Sequence, residues 1–320
     1  MGPHVDTGSP RAYRYVDGHP GGTSVVFKRI GLFILTNLAI TLTIGIVWGI
    51  LQATGVIRNV EQLGSYGPLL IFSALFGFGG SIFSLLISKW IAKWTTGAKV
   101  IETPSNATEA WLLETVRRHA SRAEIGMPEV AVYDSPDMNA FATGATKNSA
   151  LVAVSTGLLQ SMDRAEVDAV LGHEVSHIAN GDMVTLTLLQ GVLNTFVIFL
   201  SRVVGGLIDS AMRGRDERDR GGGLGYFFTV MILQMVFGLV ASMIVAAFSR
   251  WREYRADRGG ADLAGTQGMI NALRRLGRAE ESGLPKAMAA FGISGGGLVG
   301  LLRTHPPIEE RIRALQERRA

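Results

Sequence analysis

The sequence predicts an α+β, mainly helical integral membrane protein with four transmembrane helices and a cytoplasmic domain assembled from two chain segments. Three observations carry that prediction. Hydrophobic residues make up 47% of the 320, and mean hydropathy is +0.25: too apolar for an ordinary soluble domain, too polar for a chain lying wholly in the bilayer. Long uncharged runs alternate with amphipathic and turn-rich stretches. The run His173-Glu174-Val175-Ser176-His177 falls in an amphipathic stretch, outside every apolar run.

Taken in order, residues 1–27 are rich in Gly, Pro and His, lack hydrophobic periodicity and read as a disordered leader, a tag or an extended start. They do not resemble a signal peptide, since the apolar run comes too late. Residues 28–94 hold the first two spans, at 31–51 and 69–88, the second followed by Lys89, Trp90, Lys93 and Trp94 as a headgroup-level anchor. Residues 183–249 hold two more. The run 183–208 carries only Arg202, near its far end where it can snorkel; the run 224–249 opens with Tyr226, Phe227 and Phe228 and closes on Arg250, Trp251 and Arg252. Runs of about 25 residues without a polar face argue against buried core helices. Lys28 and Arg29 before the first span, and Lys89, Lys93 and Lys99 after the second, put both termini and both soluble segments in the cytoplasm by the positive-inside rule. Clustering of basic residues beside apolar runs, with a net charge of only +4, fits a lipid bilayer partner and argues against nucleic acid. The absence of cysteine excludes disulfides and thiolate ligands.

The first soluble segment, 95–182, changes pattern. Residues 107–123 read as an amphipathic helix; 130–133, 140–143 and 151–154 read as short strands between turn signals. Asp163 opens a further helix with Glu166 as capping-box partner, Val167, Val170, Leu171 and Ile178 give it a core face, and Asn180-Gly181 ends it. On that helix His173 and His177, four apart, share a face and can aim at one metal ion, while Glu174 reaches a water instead of the metal. Two imidazoles, an open coordination position and an adjacent general base are what zinc-assisted peptide hydrolysis needs.

Such a site needs a third protein ligand, and the second soluble segment, 250–320, offers Glu253 as the best candidate. Glu253 and Asp257 lie four apart, so one carboxylate can bind metal while the other accepts a hydrogen bond from a ligand imidazole. A solvated charged helix is the plain alternative for that pair.

HExxH, a membrane hairpin and then Glu-x-x-Ala-Asp resemble the HtpX-type membrane zinc metalloproteases, relatives of the CAAX prenyl proteases. Residues 28–33, 139–144 and 304–311 extend the resemblance over essentially everything after Phe27. It implies Zn²⁺ on His173, His177 and Glu253, Glu174 as catalytic base, Asp257 supporting the ligand shell, and a zincin-like domain. It also implies a bacterial inner-membrane endopeptidase that degrades misfolded or damaged membrane proteins as quality control under stress.

Two weaker features remain. Asn139, Ala140, Phe141 and Ala142 read either as an edge against which an extended substrate adds as a strand or as an ordinary edge strand. His305, before a Pro-Pro helix start, reads either as a donor to the tetrahedral oxyanion or as a capping histidine. Residues 292–300, rich in glycine, read as a flexible flap. The rival readings are a processing protease with one dedicated substrate and a membrane adaptor with a structural metal; the latter would need four protein ligands, where three are evident. Natural substrates and oligomeric state have no signature in the sequence.

Overall fold

A computed structural model describes residues 66–212, 223–283 and 301–318, with isolated positions at 46, 49–50 and 53–54. The leader, most of the predicted first span and the glycine-rich stretch 292–300 lie outside the described residues.

Three described helices are long and apolar enough to cross a bilayer: α1 (Gly67–Thr96), α5 (Asp182–Met212) and α6 (Leu224–Ala264). Each outruns the predicted apolar run. α1 continues through the lysines, and α6 continues unbroken for fifteen residues past Ser249 into the polar segment. Hydropathy marks where lipid ends, whereas the helix ends only where its backbone hydrogen bonding stops. The spans meet through small residues, as bilayer helices do when no hydrophobic force drives them together. A Cβ on Gly77 of α1 would meet the Thr195 backbone and the Gly191 carbonyl of α5, and one on Gly205 of α5 would meet Val230 of α6. Leu86, Phe196, Phe227, Ile232 and Met235 stay exposed on the bundle, the pattern of a lipid-facing surface.

Beside the bundle lies a four-stranded sheet in the order β1-β2-β4-β3: β1 (Lys99–Val100), β2 (Glu129–Tyr133), β3 (Ala140–Thr146) and β4 (Ser149–Ser155). β4 runs parallel to β2 and antiparallel to β3, and every residue of it after Ser149 is buried. That accounts for its continuous apolar run. β3 forms an edge of the sheet, with its register shifted between Gly144 and Thr146.

One face of the sheet packs against α2 (Ala107–Arg122), α3 (Thr156–Ser161) and α4 (Arg164–Asn180), with α7 (Thr266–Gly283) and α8 (Ile308–Glu317) closing the far side. Val152 and Val154 of β4, Leu112 and Val116 of α2, Leu171, Val175 and Ile178 of α4, and Leu273 of α7 form one continuous core. Lys89 and Lys93, predicted as headgroup anchors, both pair with Glu129 of β2, at 2.8 and 3.1 Å, and tie the end of α1 to the sheet.

α4 has the ends its sequence predicts. Asp163 and Glu166 form the reciprocal capping box, at 2.8 and 3.0 Å. Gly181 takes the left-handed conformation (φ 69°), and its N–H donates to the carbonyls of His177 and Ile178. Only glycine adopts that backbone at no steric cost, and this one residue turns α4 directly into the membrane helix α5.

A candidate metal centre

α4 and α6 cross at unusually short range. A Cβ on Gly260 would lie 3.0 Å from the backbone nitrogen of His173, and one on Gly259 would collide with the Ser176 side chain. Glycine lets the two backbones touch there, so residues one and two turns earlier on α6 face the histidines of α4. Glu253 and Asp257, four apart and both buried, are the side chains so placed.

The two imidazole Nε2 atoms lie 3.1 Å apart; His177 Nε2 is 3.3 Å from Glu253 Oε1, and His173 Nε2 is 3.5 Å from Glu253 Oε2. Each Nδ1 has a carboxylate: Asp182 Oδ2 at 2.6 Å for His177 and Asp257 Oδ1 at 3.0 Å for His173. An ionised carboxylate only accepts, so a proton on each Nδ1 faces it, and with a metal ion bound each neutral ring would turn its Nε2 lone pair inward. Two lone pairs and a carboxylate then converge on one point, an arrangement stable only around a positive charge. Ligand bonds of about 2.0–2.1 Å at a tetrahedral angle set donor atoms about 3.3 Å apart, which the three observed separations bracket. His173, His177 and Glu253 thus fit a metal ion by geometry, and a His₂Glu set is a zinc donor set that leaves a position open. The same field acts on protons. Burial works against charging His173, but the Asp257 and Glu253 carboxylates outweigh it and raise its pKa to about 10; Asp182 and Glu253 likewise raise that of His177 against burial.

Two residues that sequence reasoning gave no role complete the arrangement. Arg311 of α8 is buried and grips Asp257 with two hydrogen bonds, Nε to Oδ2 at 2.7 Å and Nη2 to Oδ1 at 2.6 Å; its Nη2 also lies 3.4 Å from Glu253 Oε2. It is the one buried guanidinium among the described residues and balances a site rich in carboxylates. Asp182, the first residue of α5, is folded back onto His177 by the Gly181 turn. An acid five residues past the second histidine, straight after Asn-Gly, was the available signal for it; Arg311 ends the stretch 304–311 that carried the family resemblance, but nothing in the sequence paired it with Asp257.

His305 stands at the rim, its side chain 66% exposed, with Nδ1 3.0 Å from Glu253 Oε2. Its loop is held by Arg250, whose Nη1 donates to the carbonyls of Leu301 and Arg303. A cavity of about 530 Å³ opens beside the ligands, with Glu174 and His305 in its wall and an apolar side made by Leu158, Val170, Met269, Leu276 and Ile308. Of the four edge-strand residues, Asn139 and Ala140 line this cavity. Phe141 and Ala142 do not: the Phe141 ring packs on Tyr133 at 5.7 Å, on the other face of the sheet, and Ala142 packs into the core.

Residues 106–319 match the sequence model of peptidase family M48. The chain is 60% identical over 295 residues to a protein named Protease HtpX from Xanthomonas euvesicatoria pv. vesicatoria, a match covering 91% of this chain and 98% of that one. It is 58% identical over 297 residues to a Protease HtpX homolog from Nitrosomonas europaea, covering 91% and 99%. Among solved structures, Ste24p of S. mikatae superposes with a TM-score of 0.55 at 18% identity, over 89% of this chain and 67% of that one, a likeness of fold.

Proposed function

The chain belongs to peptidase family M48, as a membrane metalloprotease of the HtpX type, and from that premise we propose that it is a zinc-dependent endopeptidase with His173, His177 and Glu253 as ligands. The convergence of two inward imidazole lone pairs and a buried carboxylate is the observation that carries this reading. Zn²⁺ bound there supplies a Lewis acid for the scissile carbonyl and lowers the pKa of the attacking water toward about 7.

The chain's own groups do the rest. Glu174, beside His173 and in the cavity wall, takes the proton of the attacking water and delivers it to the leaving amine nitrogen. Asp182 and Asp257 fix the tautomer and orientation of the ligand imidazoles, and Arg311 holds Asp257 in place. His305, in the cavity wall with Nδ1 facing Glu253, donates to the oxyanion from Nε2 when both ring nitrogens carry protons. A substrate strand runs along the start of β3, at Asn139 and Ala140, and places an apolar side chain against Val170, Met269 and Leu276. The active site and both soluble segments, 95–182 and 250–320, face the cytoplasm of a bacterial inner membrane. The run 31–51 forms a fourth span, and the substrates are misfolded or damaged membrane proteins.

Zinc content and casein cleavage in detergent test the reading. Glu174→Gln keeps its metal and loses about 10²–10⁴-fold in rate, the share a positioned general base supplies, whereas Glu253→Ala loses the metal. Undiminished cleavage by Glu174→Gln removes that residue from the mechanism, and full zinc in Glu253→Ala removes the third ligand.

A further inference from the structure

His305 is the one group of the mechanism above that packing does not place. Its side chain is 66% exposed, so its position has to come from its backbone. That backbone is restrained on both sides. After it come Pro306, which is buried, and Pro307, which caps α8 at φ −53°. Proline fixes its own φ and restricts the residue before it, so the chain from His305 to Pro307 has little freedom. On the other side Arg250 of α6 takes hold. The two hydrogens of its Nη1 go to two carbonyls, Arg303 O at 2.7 Å and Leu301 O at 3.1 Å. Among the described residues, no other side chain donates to the main chain of 301–306. Only Thr304 separates the gripped carbonyl of Arg303 from His305.

Where the grip comes from matters as much. Arg250 lies three residues before Glu253, so the two share a face of one rigid helix. Glu253 Oε2 is the atom that His305 Nδ1 meets at 3.0 Å. Helix α6 therefore carries both the carboxylate that His305 faces and the cation that holds its loop. Arg250, Arg303, His305, Glu253 and one turn of α6 form a closed ring of contacts, and that ring sets where the imidazole stands. Arg250 itself is not in the wall of the cavity. The neighbouring contacts between the same two segments lie beyond the prolines and outside the ring: Tyr254 Oη donates to Glu310 Oε2 at 3.1 Å, and Arg311 grips Asp257.

We propose that Arg250 is a positioning residue for catalysis, which by holding the carbonyls of Leu301 and Arg303 keeps His305 where its Nε2 meets the oxyanion. The inference rests on the reading of His305 as the oxyanion donor. Arg250 acts only where negative charge develops on the carbonyl oxygen, so its loss lowers kcat and leaves KM and zinc content unchanged.

A double-mutant cycle on the full-length protein in detergent tests this. Wild type, Arg250→Gln, His305→Ala and the double variant are compared for kcat and KM on labelled casein, with zinc content and circular dichroism on each. His305→Ala lowers kcat about 10²-fold, the share of one oxyanion donor. Arg250→Gln, too short to reach either carbonyl, lowers kcat about tenfold at unchanged KM and full zinc, the scale of a small misplacement. In the His305→Ala background the same substitution costs nothing further, because the group it positions is gone. Tyr254→Phe, which cuts the contact beyond the prolines, keeps the wild-type kcat.

Wild-type kcat in Arg250→Gln overturns the proposal and leaves His305 its role. Equal losses with and without His305, or a loss as large in Tyr254→Phe, overturn it in favour of a general strapping of the two segments. Wild-type kcat in His305→Ala removes the oxyanion reading and this inference with it. If Arg250→Gln unfolds or sheds zinc, Arg250→Lys takes its place in the same cycle, and the same results overturn the proposal.

Discussion

The two halves of α6 are one continuous helix made under opposite rules. From Leu224 to Ser249 it is uncharged, half of its residues are exposed and only Val230, Ala246 and Ser249 are buried; its job is met by length and apolarity. From Arg250 onward it carries Glu253, Ala256, Asp257, Gly260 and Ala261 as buried residues, nearly all with an identifiable contact. Lipid accepts any apolar side chain of about the right size, whereas a dry polar site requires each donor and acceptor to find its partner. The lesson is that a rigid rod can carry a permissive anchor and an exacting site together, with the boundary in the sequence alone.

The comparison is sharpened first at Arg311. Arg311→Ala leaves Asp257 buried beside Glu253 without its cation, at a cost of about 3–5 kcal/mol. Chemical denaturation should show that loss, with zinc content falling alongside. Arg311→Lys restores little, because an ammonium cannot make the two-pronged contact. Val240→Leu, on the exposed lipid half, serves as the control and should leave both readouts unchanged. A loss of stability in Val240→Leu as large as that in Arg311→Ala would break the comparison.

The helix crossing comes next. Gly260→Val drives a branched side chain into the His173 backbone, an overpacking of about 1–3 kcal/mol. Because the crossing sets the reach of Glu253, metal affinity should fall by more than stability does. A variant that binds zinc like the wild type would show that the crossing does not set the ligand geometry.

The smallest effect belongs to the far side of α4, where Asp168 accepts from His119 and Arg118, both at 2.6 Å, with His119 fully buried. Burial alone would raise the Asp168 pKa; the His119 and Arg118 contacts outweigh it and hold it below the usual carboxylate range. A depressed carboxylate contributes stability above its unfolded pKa of about 3.9 and loses it as pH falls through the lower folded value. Asp168→Asn should therefore cost about 1 kcal/mol at neutral pH, allowing for partial exposure, and the difference from wild type should vanish in strong acid. A Tm series against pH reads both, and a gap that persists in strong acid contradicts the assignment.

What the sequence determined by itself was whatever short-range physics writes into neighbouring residues. The capping box at Asp163 and Glu166, the stop at Gly181, the shared face of His173 and His177 and the apolar length of three described spans all follow from helical periodicity or from lipid thickness. Glu253 and Asp257 were legible as a pair for the same reason, four residues apart on one helix. The tertiary structure decided what depends on the meeting of distant segments. It brought Arg311 onto Asp257 across 54 positions, let α4 and α6 touch at Gly260, divided the edge strand into two residues at the cavity and two away from it, and gathered Arg202, Asn194 and Gln234 around one hollow in the bundle. No local pattern encodes such contacts, because a guanidinium or a glycine looks the same in sequence whether its partner is water, lipid or a carboxylate from the far end of the chain.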